Sequence, residues 1–342
     1  MRERGLNLAL CNLIVLFLFF SGVFVYLTPL LLFYISKRFS LLKSFLFSAM
    51  LLLEFVLIFG LVFKLGISPE ILRKVFSSLS WTPGFAYYDF FGIKGVAWGM
   101  FYYWMVLMAT GLMLAYQSQF PQKWFHLVLK VAAFSFVLLV GLTIFLSKGN
   151  FFELVALMKN YLGKSFDLVL QMPKQFEGEE VLFLKSNRDL LLQTLVLVSP
   201  GFLFCFLMLM VALNDSLSKG LFRHLFEVKV QPFELMVLPF TWVWFFIATF
   251  ALYLGNSYLL GGFEVEAVLV NFFVFFTFAF FFQGLAVLHL YLRRFALETW
   301  VIVLGYLSLF LVFQPLLLLI SLMGILDAWF DFRKLNAVLP KA

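Results

Sequence analysis

The residues best suited to chemistry are a few polar side chains that interrupt long apolar runs. Glu54 lies near the middle of the run at 39–63. If that run crosses a bilayer, a charged carboxylate at its centre costs on the order of 2.5–3.5 kcal/mol. Such a residue is typical of an ion or proton site that faces neighbouring helices. A protonated or hydrogen-bonded Glu with a structural role is the alternative interpretation.

A later apolar run carries Asn271, Gln283 and His289. Asn271 and His289 are 18 residues apart, so in a helix they share a face but are separated by about 27 Å along the axis. Gln283 points about 120° away from both, so the three cannot form one metal or catalytic cluster. Gly284 allows a neighbouring backbone to approach beside the Gln283 amide. The two amides are therefore candidates either for interhelical hydrogen bonds or for contact with a solute.

The end of the chain places charges directly after an apolar run at 300–326. Asp327 and Asp331 are one helical turn apart, so they share a face if the helix continues. An Asp at a helix C-terminus opposes the helix dipole, which predicts a cationic partner such as Arg333 or Arg294. This end is either a solvated helix terminus or a docking surface or latch.

Motifs for enzyme chemistry are absent from the sequence. It contains no HExxH, GxSxG or GxxxxGK[ST] pattern. The two cysteines, Cys11 and Cys205, lie inside apolar runs and provide neither a disulfide framework nor a metal cluster. We therefore expect a protein that is not an enzyme, with no metal site and no cofactor.

The composition indicates that lipid is the solvent for most of the chain. Of the 342 residues 64% are apolar and only 13% are charged, whereas a soluble domain carries roughly 25% charged residues. The mean hydropathy is +1.03. The net charge of +7 is explained by Lys and Arg that flank membrane spans, so we expect a lipid bilayer as the partner and no nucleic acid.

The pattern predicts an all-α integral membrane protein with about eight transmembrane helices, seven to nine being compatible with it, plus short interfacial amphipathic helices. The predicted spans are, approximately, 6–26, 39–63, 95–116, 125–146, 190–213, 232–255, 267–292 and 300–326. Pro29 makes the first region either one long, kinked helix or a span followed by a short re-entrant piece. In the third span, Gly95 and Gly99 predict close helix packing.

We expect a single polytopic membrane domain over 1–342. Within it, 66–94 is predicted to form an interfacial helix and an aromatic loop. The stretch 147–189 is predicted to be a polar, amphipathic loop between the fourth and fifth spans.

The last third of the chain combines Asn271 with the sequences FQGLAV at 282–287 and GILDAWFDFRK at 324–334. This combination resembles the YybS-like family of bacterial multi-span membrane proteins. The proline-bracketed stretch 231–239 is similar to the family's lead into its next span. The resemblance implies a multi-pass location in the bacterial inner (cytoplasmic) membrane but supplies no active site. By fold-level analogy it suggests the substrate-binding subunits of energy-coupling factor vitamin transporters.

These observations predict a non-enzymatic membrane component that binds or transports a small solute. Glu54, Asn271 and Gln283 would face the interior, and the aromatic loop at 80–92 would act as a lid. The alternative is an envelope-assembly or regulatory scaffold. In that case the basic loops and the 327–334 end would dock another membrane protein.

Overall fold

A computed structural model describes the fold. The described residues are 8–20, 24–64, 88–146, 184–221, 233–259, 263–295 and 313–333, with isolated positions between 155 and 167 and at 305. The α-helices in this part of the chain are α1 (Leu8–Phe20), α2 (Thr28–Arg38), α3 (Leu41–Lys64), α4 (Tyr88–Gln117), α5 (Trp124–Leu146), α6 (Arg188–Leu221), α7 (Thr241–Leu259), α8 (Phe263–Arg294) and α9 (Phe313–Phe330). Phe24–Leu27 and Phe233–Leu235 form 3₁₀ turns.

Three of the described helices are long and apolar enough to cross a membrane, judged by length and composition. They comprise Trp124–Phe145 of α5, all of α6 and Val265–Arg294 of α8. The shorter apolar helices are Thr241–Asn256 and Leu316–Phe330. The described residues therefore form the helices of an all-α membrane protein.

The first predicted span does not form one helix in the structure. α1 ends at Phe20, and α2 begins at Thr28 after a 3₁₀ turn. Pro29 lies in the first turn of α2, where its missing N–H needs no intrahelical acceptor. Thr28 Oγ1 donates a 2.6 Å hydrogen bond to the carbonyl of Val25, which fixes this new start.

The sixth predicted span begins later than the apolar run suggested. Residues 236–240 are not helical, and α7 starts only at Thr241. Pro239 explains the difference, because it restricts the backbone of Leu238 and cannot donate a backbone hydrogen bond.

The third span, in contrast, begins earlier than predicted. α4 starts at Tyr88, so the last part of the predicted aromatic loop is helical, and Gly95 and Gly99 lie inside this helix. The rest of the predicted interfacial region at 66–94 lies outside the described residues, as does most of 147–189.

The chain folds into two units, each made of several segments. The first comprises 1–121, 127–175 and 207–229, and the second comprises 122–126, 176–206 and 230–342. Each unit is built around one central helix.

In the first unit the central helix is α2, which packs against α3 and α4. Its residues 28–36 are buried on all sides, as expected for a uniformly apolar helix inside a bundle. Gly111 of α4 permits close packing, since a Cβ on it would lie 3.1 Å from the Cα of Pro29. Asn214 of α6 donates a 2.8 Å hydrogen bond to the carbonyl of Tyr26, which anchors the turn before α2.

In the second unit α8 packs between α7 and α9. Aromatic rings fill the contact between α7 and α8; Trp242, for example, packs edge-on against Phe276 with centroids 5.7 Å apart. The contact between α8 and α9 is made by backbone instead. A Cβ on Gly284 would collide with the carbonyl oxygen of Ile320, and one on Gly324 would collide with that of Phe280.

Adding a single methyl group at this backbone contact should destabilise the protein. Gly284→Ala and Gly324→Ala must push α8 and α9 apart, because the colliding atoms belong to backbone and cannot rotate away. We expect each to lower the free energy of unfolding by about 1–3 kcal/mol. Thermal unfolding of the purified protein, followed by tryptophan fluorescence, measures the effect.

Gly141→Ala in α5 is the matched control, because a Cβ there would meet nothing within 4 Å. It should leave the unfolding midpoint unchanged or raise it slightly, since Ala favours helix over Gly. Equal midpoints for the three variants would contradict the packing described for α8 and α9.

Candidate functional site

The proline inside α6 creates a backbone acceptor that needs a new partner. Pro200 has no N–H, and its ring crowds the carbonyl of Val196 one turn earlier. Ser199 Oγ donates a 2.8 Å hydrogen bond to that carbonyl. The side chain next to the proline thus satisfies the acceptor that the proline cannot.

Asn271 of α8 hydrogen-bonds to the next pair of backbone groups in α6. Its Nδ2 donates a 2.8 Å hydrogen bond to the carbonyl of Leu197, and its Oδ1 accepts one from the N–H of Gly201. These two backbone groups are four residues apart, and in a regular α-helix they would bond to each other. The Asn271 amide therefore bridges both backbone groups beside the proline.

Gly201 is required for this close approach between α6 and α8. A Cβ at this position would lie 2.7 Å from Asn271 Oδ1 and 3.2 Å from Asn271 Cα. Since both ends of the Asn271 amide are bound to α6, its geometry is that of an interhelical hydrogen bond.

Gln283 of α8 has the same kind of role for the irregular segment before α7. Its Oε1 accepts a 3.1 Å hydrogen bond from the N–H of Leu238, next to Pro239. Its Nε2 donates a 3.0 Å hydrogen bond to Oδ2 of Asp327 in α9. The side chain is fully buried, so one amide joins three segments of the second unit.

Asp327 also has the cationic partner that its position at a helix end predicts. Arg333 donates to Asp327 Oδ2 from Nε at 3.2 Å and from Nη2 at 2.7 Å. The side chains of Arg333 and Asp327 are only 1% and 2% exposed. Arg333 Nη1 donates a further 2.9 Å hydrogen bond to the backbone carbonyl of Glu234. We call Gln283, Asp327 and Arg333 the polar latch.

The end of α9 is shaped so that Arg333 can return to Asp327. The helix ends at Phe330, and Asp331 adopts a left-handed backbone conformation with φ 43°. The N–H of Asp331 donates a 2.9 Å hydrogen bond to the carbonyl of Asp327, which is the αL type of helix cap. The shared face of Asp327 and Asp331 depended on a continuing helix, and the helix ends at Phe330.

The last turn of α8 holds the reversed chain in place. Tyr291 Oη donates a 3.0 Å hydrogen bond to the carbonyl of Phe332, and Arg294 Nη2 donates one of 3.3 Å to the carbonyl of Arg333. Arg294 thus contacts the backbone beside the latch and does not contact Asp327 directly.

Glu54 lies in the first unit, in α3, and has a partner that was not predicted from the sequence. Asn12 of α1 donates from Nδ2 to both carboxylate oxygens of Glu54, at 2.9 Å each. Both residues are half-buried. In the part of the chain that is described, no Lys or Arg forms an ion pair with Glu54. Asn12 is a polar residue inside the first apolar run, and this position could have indicated a polar partner for Glu54.

Asn271 and Gln283 therefore do not form one cluster, because they bond to different segments from opposite halves of α8. Glu54 belongs to the first unit. The packing around Gly95 and Gly99 is not described, and most of the predicted lid at 80–92 lies outside the described residues. Among the described residues, no group of three or more His, Cys, Asp or Glu is arranged to hold a metal ion.

A family model described as "Predicted membrane protein (DUF2232)" matches residues 90–328. The chain belongs to the DUF2232 family. The expectation of a membrane protein family is thereby confirmed, and the YybS-like resemblance is compatible with it. No curated protein and no solved structure matches the chain. The matched region contains Asn271, Gln283 and Asp327, whereas Asn12 and Glu54 precede it and Arg333 follows it.

Breaking the buried ion pair of this DUF2232 protein should be costly. Arg333→Ala leaves the Asp327 carboxylate buried without its cation, and Asp327→Ala leaves Arg333 buried alone. Each should lower the free energy of unfolding by about 3–5 kcal/mol. The double variant should lose less than the sum of the two, because neither charge is then left alone. Chemical unfolding of the four proteins measures the losses.

Arg188→Ala is the control for this cycle. It removes an ion pair whose side chains are 36% and 88% exposed, and should change stability by no more than about 0.5 kcal/mol. Strictly additive losses for Asp327→Ala and Arg333→Ala would show that the two charges do not depend on each other.

The role of Asn271 in the DUF2232 protein should depend on Pro200. Asn271→Leu removes the partner of Leu197 and Gly201, and should cost about 1–3 kcal/mol for the unsatisfied backbone groups. In a Pro200→Ala background the α6 ladder can close by itself, so the same substitution should cost less. Unfolding midpoints of the four proteins measure this coupling. An equal loss in both backgrounds would contradict the bridging role.

Proposed function

We propose that the protein is a non-enzymatic membrane component that binds or transports a small solute, and that Glu54 is its binding residue. The observation that carries the proposal is the contact of Glu54 with Asn12. The carboxylate lies in an apolar helix and is hydrogen-bonded to a neutral amide. In the described chain it has no ion pair. An ionisable residue of this kind inside a membrane is a candidate for solute or ion binding, because keeping it there is costly.

The proposed site is smaller than the one expected from the sequence. Asn271 and Gln283 hydrogen-bond to backbone groups and to Asp327, so we assign both to helix packing. The contact of Asn12 with Glu54 replaces them in the proposed site.

The proposal includes the finer topology. We infer about eight spans in one polytopic domain of a bacterial inner membrane. The described apolar helices and their agreement with the predicted runs at 39–63, 125–146 and 267–292 support this number. The resemblance to bacterial multi-span proteins supports the compartment.

Partner docking is less well supported as the main role. The residues expected to dock another protein include Asp327 and Arg333, and these are buried against each other. Arg294 is exposed, but it donates to the backbone of Arg333. These contacts favour a latch within the chain.

A solute screen tests the proposal. A solute that binds the folded protein stabilises it, so its addition should raise the thermal unfolding midpoint. At a concentration of about 100 times Kd the gain is about 2.7 kcal/mol. Glu54→Gln should abolish this shift.

Glu266→Gln is the matched control, because it removes a carboxylate near the start of another apolar helix. It should retain the shift. A broad screen in which no solute distinguishes Glu54→Gln from Glu266→Gln would contradict the proposed function.

A further inference from the structure

The side chains of Asn12 and Glu54 bring together oxygen atoms that could act as ligands of a cation. Besides the two carboxylate oxygens of Glu54, the set contains Asn12 Oδ1. This amide oxygen is inaccessible to solvent and accepts no hydrogen bond within the described residues. Carboxylate and amide oxygens are the ligands that hard cations prefer.

The charge at this position is unbalanced in the described chain. Asn12 contributes amide hydrogens to Glu54 but no formal charge. The titratable or charged residues with described side chains on α1, on α3 and on the helices packed against α3 are Cys11, Tyr34, Lys37, Arg38, Lys43, Lys64, Tyr102, Tyr103 and Tyr116. None of these forms a hydrogen bond or ion pair with Glu54. Among the described residues, a single negative charge in apolar surroundings therefore has only a neutral partner.

The surroundings strengthen the attraction for a cation. The positions next to Glu54 on α3, including Leu53 and Leu57, are exposed apolar side chains, and so is Leu13 beside Asn12. If these side chains face lipid, the medium around the carboxylate has a low dielectric constant. A charge–charge interaction is much stronger there than in water.

From these observations the geometry points to a monovalent cation, either an alkali metal ion or a proton, as the ligand of Glu54 and Asn12. This inference rests on the function proposed above. One positive charge neutralises the single carboxylate, whereas a divalent cation would leave one positive charge unbalanced in apolar surroundings.

Asn12 can serve both the empty and the occupied state. In the structure its Nδ2 hydrogens face the carboxylate. Rotation of the amide about its last torsion brings Oδ1 to that position, where it can coordinate a metal ion. If the carboxylate has taken up a proton, the same oxygen can accept a hydrogen bond from the new O–H group of Glu54. The Asn12 amide thus offers its N–H groups to the empty carboxylate and its oxygen to the occupied one.

The test compares thermal unfolding of the full-length protein in detergent with NaCl, KCl or LiCl against choline chloride at equal ionic strength. A parallel series in choline chloride varies the pH. The proteins are the unmodified chain, Glu54→Gln, Asn12→Ala and the control Glu266→Gln.

If an alkali ion is the ligand, its chloride should raise the midpoint by about 2–4 °C in the unmodified chain and in Glu266→Gln. Asn12→Ala should respond more weakly, and Glu54→Gln should not respond.

If the proton is the ligand, the alkali ions should have no specific effect. The unfolding midpoint of the unmodified chain should then rise, relative to that of Glu54→Gln, as the pH falls. A merely structural Glu54 would give Glu54→Gln a lower midpoint but the same response to salts and pH as the unmodified chain. That result would overturn the inference.

The outcome separates this inference from the proposed function. A neutral or anionic solute that stabilises the protein through Glu54, with no response to cations or pH, would overturn the cation assignment and leave solute binding standing. Absence of any Glu54-dependent response, in the solute screen and in the cation series, would overturn both.

Discussion

The second unit depends on one constraint: a backbone N–H or C=O group in apolar surroundings needs a hydrogen-bond partner. Regular helices meet this need internally, but prolines interrupt them. Pro200 disturbs the α6 ladder, and the segment before α7 leaves helical geometry near Pro239. At both places a side-chain amide from α8 supplies the missing partner, Asn271 for α6 and Gln283 for Leu238. The two side-chain amides of this aromatic-rich helix are therefore explained by the backbone groups that they bind.

The same constraint explains why two charges are buried at the end of α9. The Glu234 carbonyl lies in the 3₁₀ turn just before the irregular segment, and Arg333 donates to it. A buried guanidinium requires an anion, and Asp327 provides one. The left-handed turn at Asp331 returns the chain so that both contacts form, and the Gly284–Gly324 backbone contact holds α9 against α8. Once these groups are assigned to packing, the half-buried carboxylate of Glu54 in the first unit is the one candidate of the predicted solute site that has no role in this hydrogen-bond system.

Long apolar runs were enough to predict α3, α5 and α8. α5 differs from its predicted span by one residue at its start, and α3 and α8 by only a few residues at each end, because a long uninterrupted apolar run leaves few alternatives in a membrane. At Pro29 the sequence left a kinked helix and a separate second piece open, and the structure begins a new helix at Thr28. The predicted starts were wrong for α4 and α7, since an apolar run alone does not show where a helix begins. The conflict of Asp327 with the helix dipole indicated a partner. Its contact with Gln283, 44 residues away, depends on how α8 and α9 pack and could not be read from spacing. The Asn12–Glu54 pair escaped prediction for the same reason.

The most direct test of this account is residue-resolved amide hydrogen exchange of the second unit. The N–H groups of Gly201 and Leu238 should be protected in the unmodified protein. Asn271→Leu should accelerate exchange at Gly201 and leave Leu238 protected, whereas Gln283→Leu should do the reverse. This reciprocal result would show that each amide satisfies its own interrupted backbone. Unchanged protection at Gly201 and Leu238 in both variants would contradict the central claim, because the backbone groups would then have other partners.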